Sequence, residues 1–380
     1  MRRGNTRRDG MRSNRIISTA AVVAALVLSA CGDEKPIMPD GENNLIIFAV
    51  DTSGVDGADW VPAVDATVKI ASVNFEYREI FQTDGEGRVA IENLPAGTYT
   101  IMAEKIDPEE SIMLLGQMSK TLVYEPSDVD TLYMSYIKSS PITINEIYYA
   151  GCTVVYYMFD QFVELYNSSR DTLYLDGYVL CRTTQVEEVL GDIESYDYAL
   201  AYYVYQFPGT MDVTKECPIA PGEFQVIAFD AYDHSKAGGN CVDLSGADWE
   251  TFNATSFDYD NLAVPNLVPI TAVGNDFSTN LGHGAIWLST GEGIYFEAHW
   301  DGTKMQDYVH VPLVSIVDGV EYDNEPGGIK YLTIRVDAGR GGTGNSKYTG
   351  CSIERRYPGL DSNNSTFDFE ITLATPGYQH

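Results

Sequence analysis

The sequence has few basic residues, few histidines and no long apolar stretch. Lysine and arginine number 24 against 55 aspartates and glutamates, so the formal net charge is −31. A surface of this sign repels DNA, RNA and anionic membranes at ordinary salt, which argues against a nucleic-acid-binding role. The apolar run at residues 16–30 is shorter than the roughly 20 residues that a transmembrane helix needs, so it is too short to span a bilayer.

Motifs that carry enzymatic chemistry are also missing. The chain has no Gly-x-Ser-x-Gly elbow, HExxH zinc motif, phosphate-binding loop or Cys/His triad. Residues 135–138 match the SxxK motif by letters alone, because they lie in a strand-like run and the motif needs a helix. We therefore predict no catalytic residue and no cofactor, and we expect Glu164 to serve as a hydrogen-bond acceptor rather than a base.

Histidine and cysteine are too scattered to predict a metal centre. The segments EAHW and DYVH would bring His299 and His310 together if they pair across a hairpin, and we interpret both as structural histidines rather than metal ligands. An odd number of cysteines follows Cys31, which allows at most two internal disulfides and leaves their pairing open. No two have CxxC spacing. These cysteines are Cys152, Cys181, Cys217, Cys241 and Cys351.

The amino terminus carries a compartment signal. Arg12 and Arg15 precede the apolar run, which is typical of a secretory signal peptide over residues 1–30. The run ends in Leu-Ser-Ala-Cys, and this pattern resembles the lipobox of bacterial lipoproteins. The resemblance implies that Cys31 becomes the first residue of the mature chain and carries a diacylglyceryl group. The alternative is an ordinary signal peptide followed by a chance cysteine.

A polar segment separates this anchor from the rest of the chain. Residues 31–43 contain proline and glycine, and we interpret them as a flexible tether. Asp33 and Glu34 resemble the signal that exports Bacteroidetes lipoproteins to the cell surface. Removal of the signal peptide, with its six arginines and one aspartate, would change the net charge from −31 to −36. The expected location is the outer membrane, lipid-anchored and facing the cell exterior.

Composition and periodicity predict an all-β protein of two β-sandwich domains. Tyrosine (26) and glycine (34) are abundant, and short runs of alternating polarity are separated by turn residues. In the first predicted domain, residues 44–138, runs flanking the turns TDGEG and PAG predict antiparallel strands with one buried face. The stretch TDGEGRVAIENLPAGTYTI resembles the carboxypeptidase regulatory-like (transthyretin-like) domains. That resemblance implies a small β-sandwich without an active site.

The second predicted domain covers residues 141–380. In QFVELYNSSRDTLYLDGYVL (161–180), two alternating runs flank the polar cluster NSSRD, which predicts a β-hairpin. The ordered pieces INEI, FVELYN, LYLDGYVL, PGEFQVIA, GAIWLST, IVDGVEY, SIER and TPG resemble the lamin-tail domain. This resemblance implies an immunoglobulin-like sandwich that tethers or recognises a partner. The whole combination resembles an uncharacterised Bacteroidetes lipoprotein family.

Two insertions, residues 184–219 and 231–281, are longer than a compact sandwich needs and hold the best binding candidates. Their aromatic rings have acidic neighbours, which suit a glycan or an apolar partner surface. The alternative is that these rings form a core of the insertion itself. Residues 247–252 are predicted as a short helix. The candidate binding residues are Tyr196, Tyr198, Tyr202, Tyr203, Tyr205, Trp249 and Tyr259.

Two short patterns complete the survey. Asp-Thr-Leu triplets resemble the Bacteroidetes O-glycosylation sequon and imply Thr131 and Thr172 as acceptors. The acidic segment 51–60 offers oxygen ligands, but its spacing fits no EF-hand, and solubility explains the charge better.

The sequence thus predicts a non-catalytic surface lipoprotein whose work is binding. The expected partner is a protein, such as an outer-membrane transporter in a nutrient-uptake complex. The alternative is a glycan, bound by an adhesin or glycan-binding protein. An uncatalogued hydrolase is the third hypothesis, and it rests only on the abundance of acidic residues.

Overall fold

A computed structural model describes most of the chain beyond residue 40. The predicted signal peptide, Cys31 and residues 184–190 lie outside the described residues. Within the described part, no helix is both long and apolar enough to cross a membrane. The described ranges are 41–52, 61–75, 77–107, 112–123, 127–138, 141–154, 156–183, 191–255, 258–271, 277–300 and 303–380.

Strands dominate the described residues, as the all-β prediction requires, and that prediction is confirmed. The first eight strands are β1 (Asn43–Asp51), β2 (Val61–Pro62), β3 (Thr67–Ser72), β4 (Arg78–Gln82), β5 (Arg88–Leu94), β6 (Gly97–Asp107), β7 (Ile112–Leu122) and β8 (Asp128–Lys138). They form one sheet in the order β2-β1-β8-β7-β6-β3-β4, with β5 paired to β1. The pairing of β1 with β8 is parallel, and the other pairings in this sheet are antiparallel.

Alternating apolar residues build the core of this first sheet. Along β1, Leu45, Ile47 and Ala49 are fully buried and the residues between them are partly exposed. The runs on either side of the PAG turn form β5 and β6 as predicted, yet they do not pair with each other, since β5 pairs with β1 and β6 with β3 and β7. Gly87 permits the preceding turn, because it adopts a φ of +69° and a Cβ there would lie 2.6 Å from the Ala49 carbonyl oxygen.

The remaining strands belong to the second half of the chain. They are β9 (Ile142–Tyr148), β10 (Phe162–Asn167), β11 (Leu173–Tyr174), β12 (Val179–Thr183), β13 (Tyr198–Ala201), β14 (Tyr203–Gln206), β15 (Pro218–Ile219), β16 (Phe224–Ala228), β17 (Trp249–Thr251), β18 (Asn266–Pro269), β19 (His283–Ser289), β20 (Tyr295–Trp300), β21 (Met305–Pro312), β22 (Ile316–Asp323), β23 (Cys351–Arg355) and β24 (Phe369–Leu373). The helical elements are α1 (Ser365–Asp368) and three 3₁₀ turns, Ile193–Ser195, His234–Ala237 and Leu313–Ser315.

Eleven of these strands form one long sheet around a shared core. Its order is β22-β19-β12-β14-β18-β17-β16-β10-β9-β23-β24. Strands far apart in this order face each other, because Val163 and Leu165 of β10 join Leu180 of β12 and Ile286 of β19 in one hydrophobic cluster. β11 pairs with β15, and β13, β21 and β20 form a separate three-stranded sheet.

The predicted hairpin at residues 161–180 is wrong, although its strands are present. β10 pairs with β9 and β16, whereas β11 pairs with β15 and β12 with β14 and β19. The NSSRD cluster instead carries the chain across the core, and the Asn167 side-chain amide donates to the carbonyls of Asp171 (2.9 Å) and Ile219 (2.8 Å). Alternation reports that a strand has a buried face but does not identify its partner.

The predicted short helix at residues 247–252 is also wrong. Residues Trp249–Thr251 form β17, which pairs in parallel with β16 and β18. The Glu250 carboxylate accepts N–H groups of Ala231 (2.6 Å) and Asn261 (2.8 Å), which fixes the segment in the sheet. Tertiary pairing therefore overrides the local capping pattern.

Helix α1 joins the first sheet to the second half of the chain. Phe367 packs with Ala71, Met102 and Leu115 of the first sheet. The Asn364 side chain caps α1 by accepting the Thr366 N–H, and its amide donates to Gln117 at 2.9 Å. Both sheets belong to one compact unit, Lys35–His380.

Candidate functional site

A layer of aromatic rings covers one face of the β13-β21-β20 sheet. Because side chains alternate along a strand, Tyr295 and His299 of β20 share this face with Tyr308 and His310 of β21. Tyr198 of β13 lies on the same side, with its ring 4.0 Å from that of His310. The Tyr295 ring lies 4.5 Å from His310, and His299 lies 5.7 Å from Tyr308.

The first insertion extends this layer. The Tyr196 ring stacks on Tyr198 at 4.9 Å and 9°, and the Tyr202 ring lies 5.4 Å from Tyr308. Tyr308 and His310 are buried beneath their neighbours, whereas Tyr295 is 45% exposed. We call this set the aromatic face: Tyr196, Tyr198, Tyr202, Tyr295, His299, Tyr308 and His310.

The opposite side of the β20-β21 hairpin is apolar and open. Phe296 and Trp300 of β20 are 55% and 56% exposed, and Met305, directly across from Trp300, is 59% exposed. β20 is an edge strand, and no strand of the described residues pairs with its outer side. An exposed apolar edge marks a site of interaction or aggregation. We call Phe296, Trp300 and Met305 the docking face.

Two histidines and a glutamate meet within the aromatic face. The Nε2 atoms of His299 and His310 are 2.7 Å apart, so the hairpin pairing expected from the sequence is present. A Glu297 carboxylate oxygen lies 3.6 Å from the His310 Nε2. Burial, followed by the neighbouring His299, lowers the pKa of His310. Its lone pair is therefore available at neutral pH.

The predicted binding residues divide into three groups. Tyr196, Tyr198 and Tyr202 belong to the aromatic face. Tyr203 is half-buried beneath the Arg182 guanidinium, which lies 3.7 Å from the ring centroid. Tyr259 is 47% exposed and contacts Tyr232 away from the aromatic face.

Two of the predicted binding residues are core residues, so their assignment to a binding surface is wrong. Tyr205 is 1% and Trp249 8% exposed, and both rings belong to the main hydrophobic cluster. Trp249 packs edge-on against Phe207 and donates its indole N–H to Gln225 at 3.0 Å. The insertion thus supplies rings to both the core and the surface, which composition could not separate.

A polar cleft of about 410 Å³ opens elsewhere on the second half of the chain. His283 and Tyr331 form one wall with parallel rings, and the His283 Nδ1 is 2.5 Å from the Tyr331 hydroxyl. Asp323 and Glu325 contribute carboxylates, and Lys347 contributes a cation. Burial raises the pKa of Asp323, whose carboxylate also accepts the Glu325 N–H.

A buried glutamate holds the loop that lines this cleft. The Glu321 carboxylate accepts hydrogen bonds from Lys330 (3.0 Å) and Arg340 (2.8 Å). It also accepts the backbone N–H groups of Tyr331 (2.9 Å) and Leu332 (3.0 Å). The cleft wall is therefore fixed from below by charge-assisted hydrogen bonds.

Glutamates from three neighbouring strands line up beneath the carboxyl-terminal segment. Glu146 of β9 is directly opposite both Glu164 of β10 and Glu354 of β23. Backbone N–H groups of residues 375, 377 and 380 donate to these three carboxylates in turn. The glutamates are buried and already hydrogen-bonded, which matches the acceptor role expected of Glu164 and places them outside any open cleft.

The other predicted positions are dispersed. Thr172 is exposed just before β11, and Thr131 is half-buried within β8. Cys152 and Cys241 form a disulfide, while Cys181 and Cys217 carry buried free thiols. The sequence analysis did not select the docking face, the cleft or the glutamate row. Only the alternating aromatic run YFEAHW signalled the first of these.

Comparison with known proteins supports the architecture. A family model described as "Protein of unknown function (DUF4876)" matches residues 220–376, less than half of the chain. The structure of a DUF4876 family protein from Bacteroides thetaiotaomicron is 22% identical in sequence. It aligns over 86% of this chain and 94% of that one with a TM-score of 0.55, so the two share a fold. Both matches agree with the Bacteroidetes-type family that the sequence indicated.

More distant structures carry no argument. A candidate carbohydrate binding protein from Pseudomonas aeruginosa is 15% identical and covers 25% of this chain and 89% of its own, with a TM-score of 0.19. The major pilin SpaD of Corynebacterium diphtheriae is 12% identical and covers 43% of this chain and 49% of its own, with a TM-score of 0.21. No curated protein matches the sequence.

Proposed function

We propose that this chain is a non-catalytic, lipid-anchored protein of the outer-membrane surface that binds a protein partner through the docking face. The observation that carries the proposal is the exposure of Phe296, Trp300 and Met305 together on one side of an edge hairpin. Large apolar side chains gathered in this way lose contact with water when a partner covers them, which favours association. A chain with a formal charge of −31 keeps such a patch soluble until the partner arrives.

The anchor supports a partner in the same membrane. Lipidation at Cys31 would hold the chain at the bilayer, and the tether would allow the docking face to reach a neighbouring outer-membrane protein. The partner that fits best is a transporter of a nutrient-uptake complex. Labelling with a radioactive fatty acid tests the anchor directly: the native protein should incorporate the label and a Cys31→Ser variant should not.

The docking face is tested by cross-linking intact cells and purifying the protein from outer membranes. The native chain should recover one membrane partner in stoichiometric amount. A Phe296→Ser/Trp300→Ser variant should weaken that association by at least about tenfold, because central aromatic side chains dominate interface energies. Leu262→Ser is the matched control, since Leu262 is 92% exposed and lies outside the docking face.

Two results would remove the proposal. One is equal recovery of the same partner by the native chain and the double variant. The other is recovery of the native chain alone, which would leave a free-standing surface binder. Equal thermal midpoints for the native chain, the double variant and Leu262→Ser establish that any loss of partner reflects the surface and not the fold.

A glycan is the second candidate ligand, and the polar cleft favours it. Its volume and its mixture of carboxylates, a lysine and the His283–Tyr331 rings suit a small hydroxyl-rich molecule. Titration against a broad glycan panel should then reveal binding that Asp323→Asn weakens and Phe296→Ser/Trp300→Ser leaves intact. Uniformly flat titrations would eliminate this candidate. The hydrolase hypothesis retains Asp323 and Glu325 as the carboxylates lining the cleft.

A further inference from the structure

The hairpin that carries the docking face also gathers three potential metal ligands on its other side. One ligand atom each from Glu297, His299 and His310 lies within 4.8 Å of the others. The two imidazoles present their Nε2 atoms to each other at 2.7 Å, and the carboxylate approaches His310 at 3.6 Å. Three side chains of types that bind zinc thus converge on one point.

The strand register explains the convergence. Glu297 and His299 are two residues apart on β20, so both point to the aromatic face. Tyr295 is directly opposite His310, and Glu297 is directly opposite Tyr308, which places His310 diagonally next to Glu297. The arrangement depends on paired backbone strands and not on a mobile loop.

We infer that Glu297, His299 and His310 form a Zn²⁺ site with two imidazole ligands, one carboxylate ligand and a fourth position open to solvent. Zinc binds imidazole nitrogen at about 2.0–2.1 Å and carboxylate oxygen at about 2.0–2.2 Å, usually in a tetrahedron. Ligand atoms in such a tetrahedron are about 3.3 Å apart. The two Nε2 atoms need to separate by only about 0.6 Å to accept the ion.

The surroundings favour such an adjustment. His310 is 1% exposed and is flanked by the rings of Tyr198 at 4.0 Å and Tyr295 at 4.5 Å, which fix its orientation. His299 is only partly buried, and the Glu297 side chain is 60% exposed, so both can rotate. The ion therefore meets one fixed ligand and two adjustable ligands on the solvent side.

The ligand types select the ion. Imidazole nitrogens suit zinc and other late first-row cations, whereas calcium requires six to eight oxygen ligands. The other described group with metal-binding residue types contains Cys152, Asp160 and Cys241, and its two sulfurs are joined in a disulfide. Cys181 and Cys217 are buried. We therefore expect a single zinc equivalent among the described residues.

Calorimetric titration of the chelator-treated full chain with zinc chloride at neutral pH tests this site. We expect one zinc per chain, and we expect His299→Gln and Glu297→Gln each to weaken binding by at least about tenfold, as even second-shell changes at metal sites do. His283→Gln is the matched control, because His283 is partly buried and pairs with Tyr331 away from this hairpin. Cobalt substitution should give the visible absorption of a tetrahedral ion in the native chain and in His283→Gln only.

His310→Gln is avoided because a buried residue tests folding and binding together. Circular dichroism should be unchanged in the other variants. Absence of zinc binding, or zinc binding that both Glu297→Gln and His299→Gln retain in full, would overturn the inference and leave a direct hydrogen bond between two imidazoles. The docking face is on the opposite side of the hairpin, so failure of zinc binding and failure of partner binding are separate results.

Discussion

The Arg355 guanidinium lies 2.9 Å from the Asp318 carboxylate, and both side chains are 1% exposed. Arg355 also donates to the Ile144 carbonyl at 3.1 Å, and Asp361 and Asp368 lie within 3.4 Å of it. Asp318 in turn accepts the Ile144 N–H at 2.7 Å. This network joins strands β9, β22 and β23 inside the second half of the chain.

Removing the arginine should therefore be costly. Arg355→Met leaves three carboxylates without their buried cation, so we expect the free energy of unfolding to fall by about 3–5 kcal/mol in urea denaturation. Arg356→Met is the control. Its ion pair with Glu370 is partly exposed, and we expect a loss of about 1 kcal/mol or less. Equal losses in the two variants would contradict the structural role of the network.

Glu164 should make the protein more stable in acid than at neutral pH. Burial, the largest cause, raises its pKa from 4.5 to about 7. The folded state therefore binds the proton more tightly than the unfolded state does. The resulting stability is present below about pH 4.5 and is lost as the pH rises towards about 7. Neighbouring Glu354 and Asp248 raise the pKa further, while the Gly377 N–H and Asn145 amide oppose the shift.

Urea denaturation over this pH range measures the effect. Glu164→Gln cannot ionise, so its free energy of unfolding should fall less with pH than that of the native chain, by up to about 3 kcal/mol at about 1.4 kcal/mol per pH unit. Exposed Glu92 supplies the control, and Glu92→Gln should follow the native curve. Parallel curves for the native chain and Glu164→Gln would show that Glu164 ionises normally.

The carboxyl-terminal segment should act as a structural cover for the glutamate row. Deletion of residues 375–380 removes the N–H donors of Glu146, Glu164 and Glu354, and hydrogen bonds to charged groups contribute about 1.5–3 kcal/mol each before water replaces them. We expect a loss of about 2–4 kcal/mol in unfolding free energy. Tyr378→Ala, at a 55% exposed side chain, should change little. A truncated chain of unaltered stability would refute the role.

The glutamate row shows both the reach and the limit of sequence reasoning. Glu146 lies in INEI, Glu164 in VELYN and Glu354 in SIER, and the segment over them contains TPG. The sequence identified each piece and its strand. It could not show that the three carboxylates are neighbours, because that follows from the pairing of β9 with β10 and β23, which are distant along the chain.

The errors have the same physical origin. The strands within residues 161–180 were predictable from alternation, but their partners depend on which apolar faces meet across the core. Residues 249–251 follow a cap-like pattern, yet parallel neighbours on both sides hold them extended. Tyr198 and Tyr205 have similar local sequences, and only the fold determines that one is half-exposed and the other is buried.

The first sheet offers a final test through Lys69 and Glu104, which are directly adjacent across β3 and β6. Their charged atoms are 2.5 Å apart and their side chains are 7% and 4% exposed. Burial lowers the pKa of Lys69, and Glu104 opposes that shift. Lys69→Met alone strands a buried carboxylate and should cost about 3–5 kcal/mol, whereas Lys69→Met/Glu104→Leu should recover most of that loss. A double-mutant cycle by urea denaturation measures the coupling. Additive losses would mean that the two charges do not depend on each other, which a 2.5 Å contact in a dry environment does not permit.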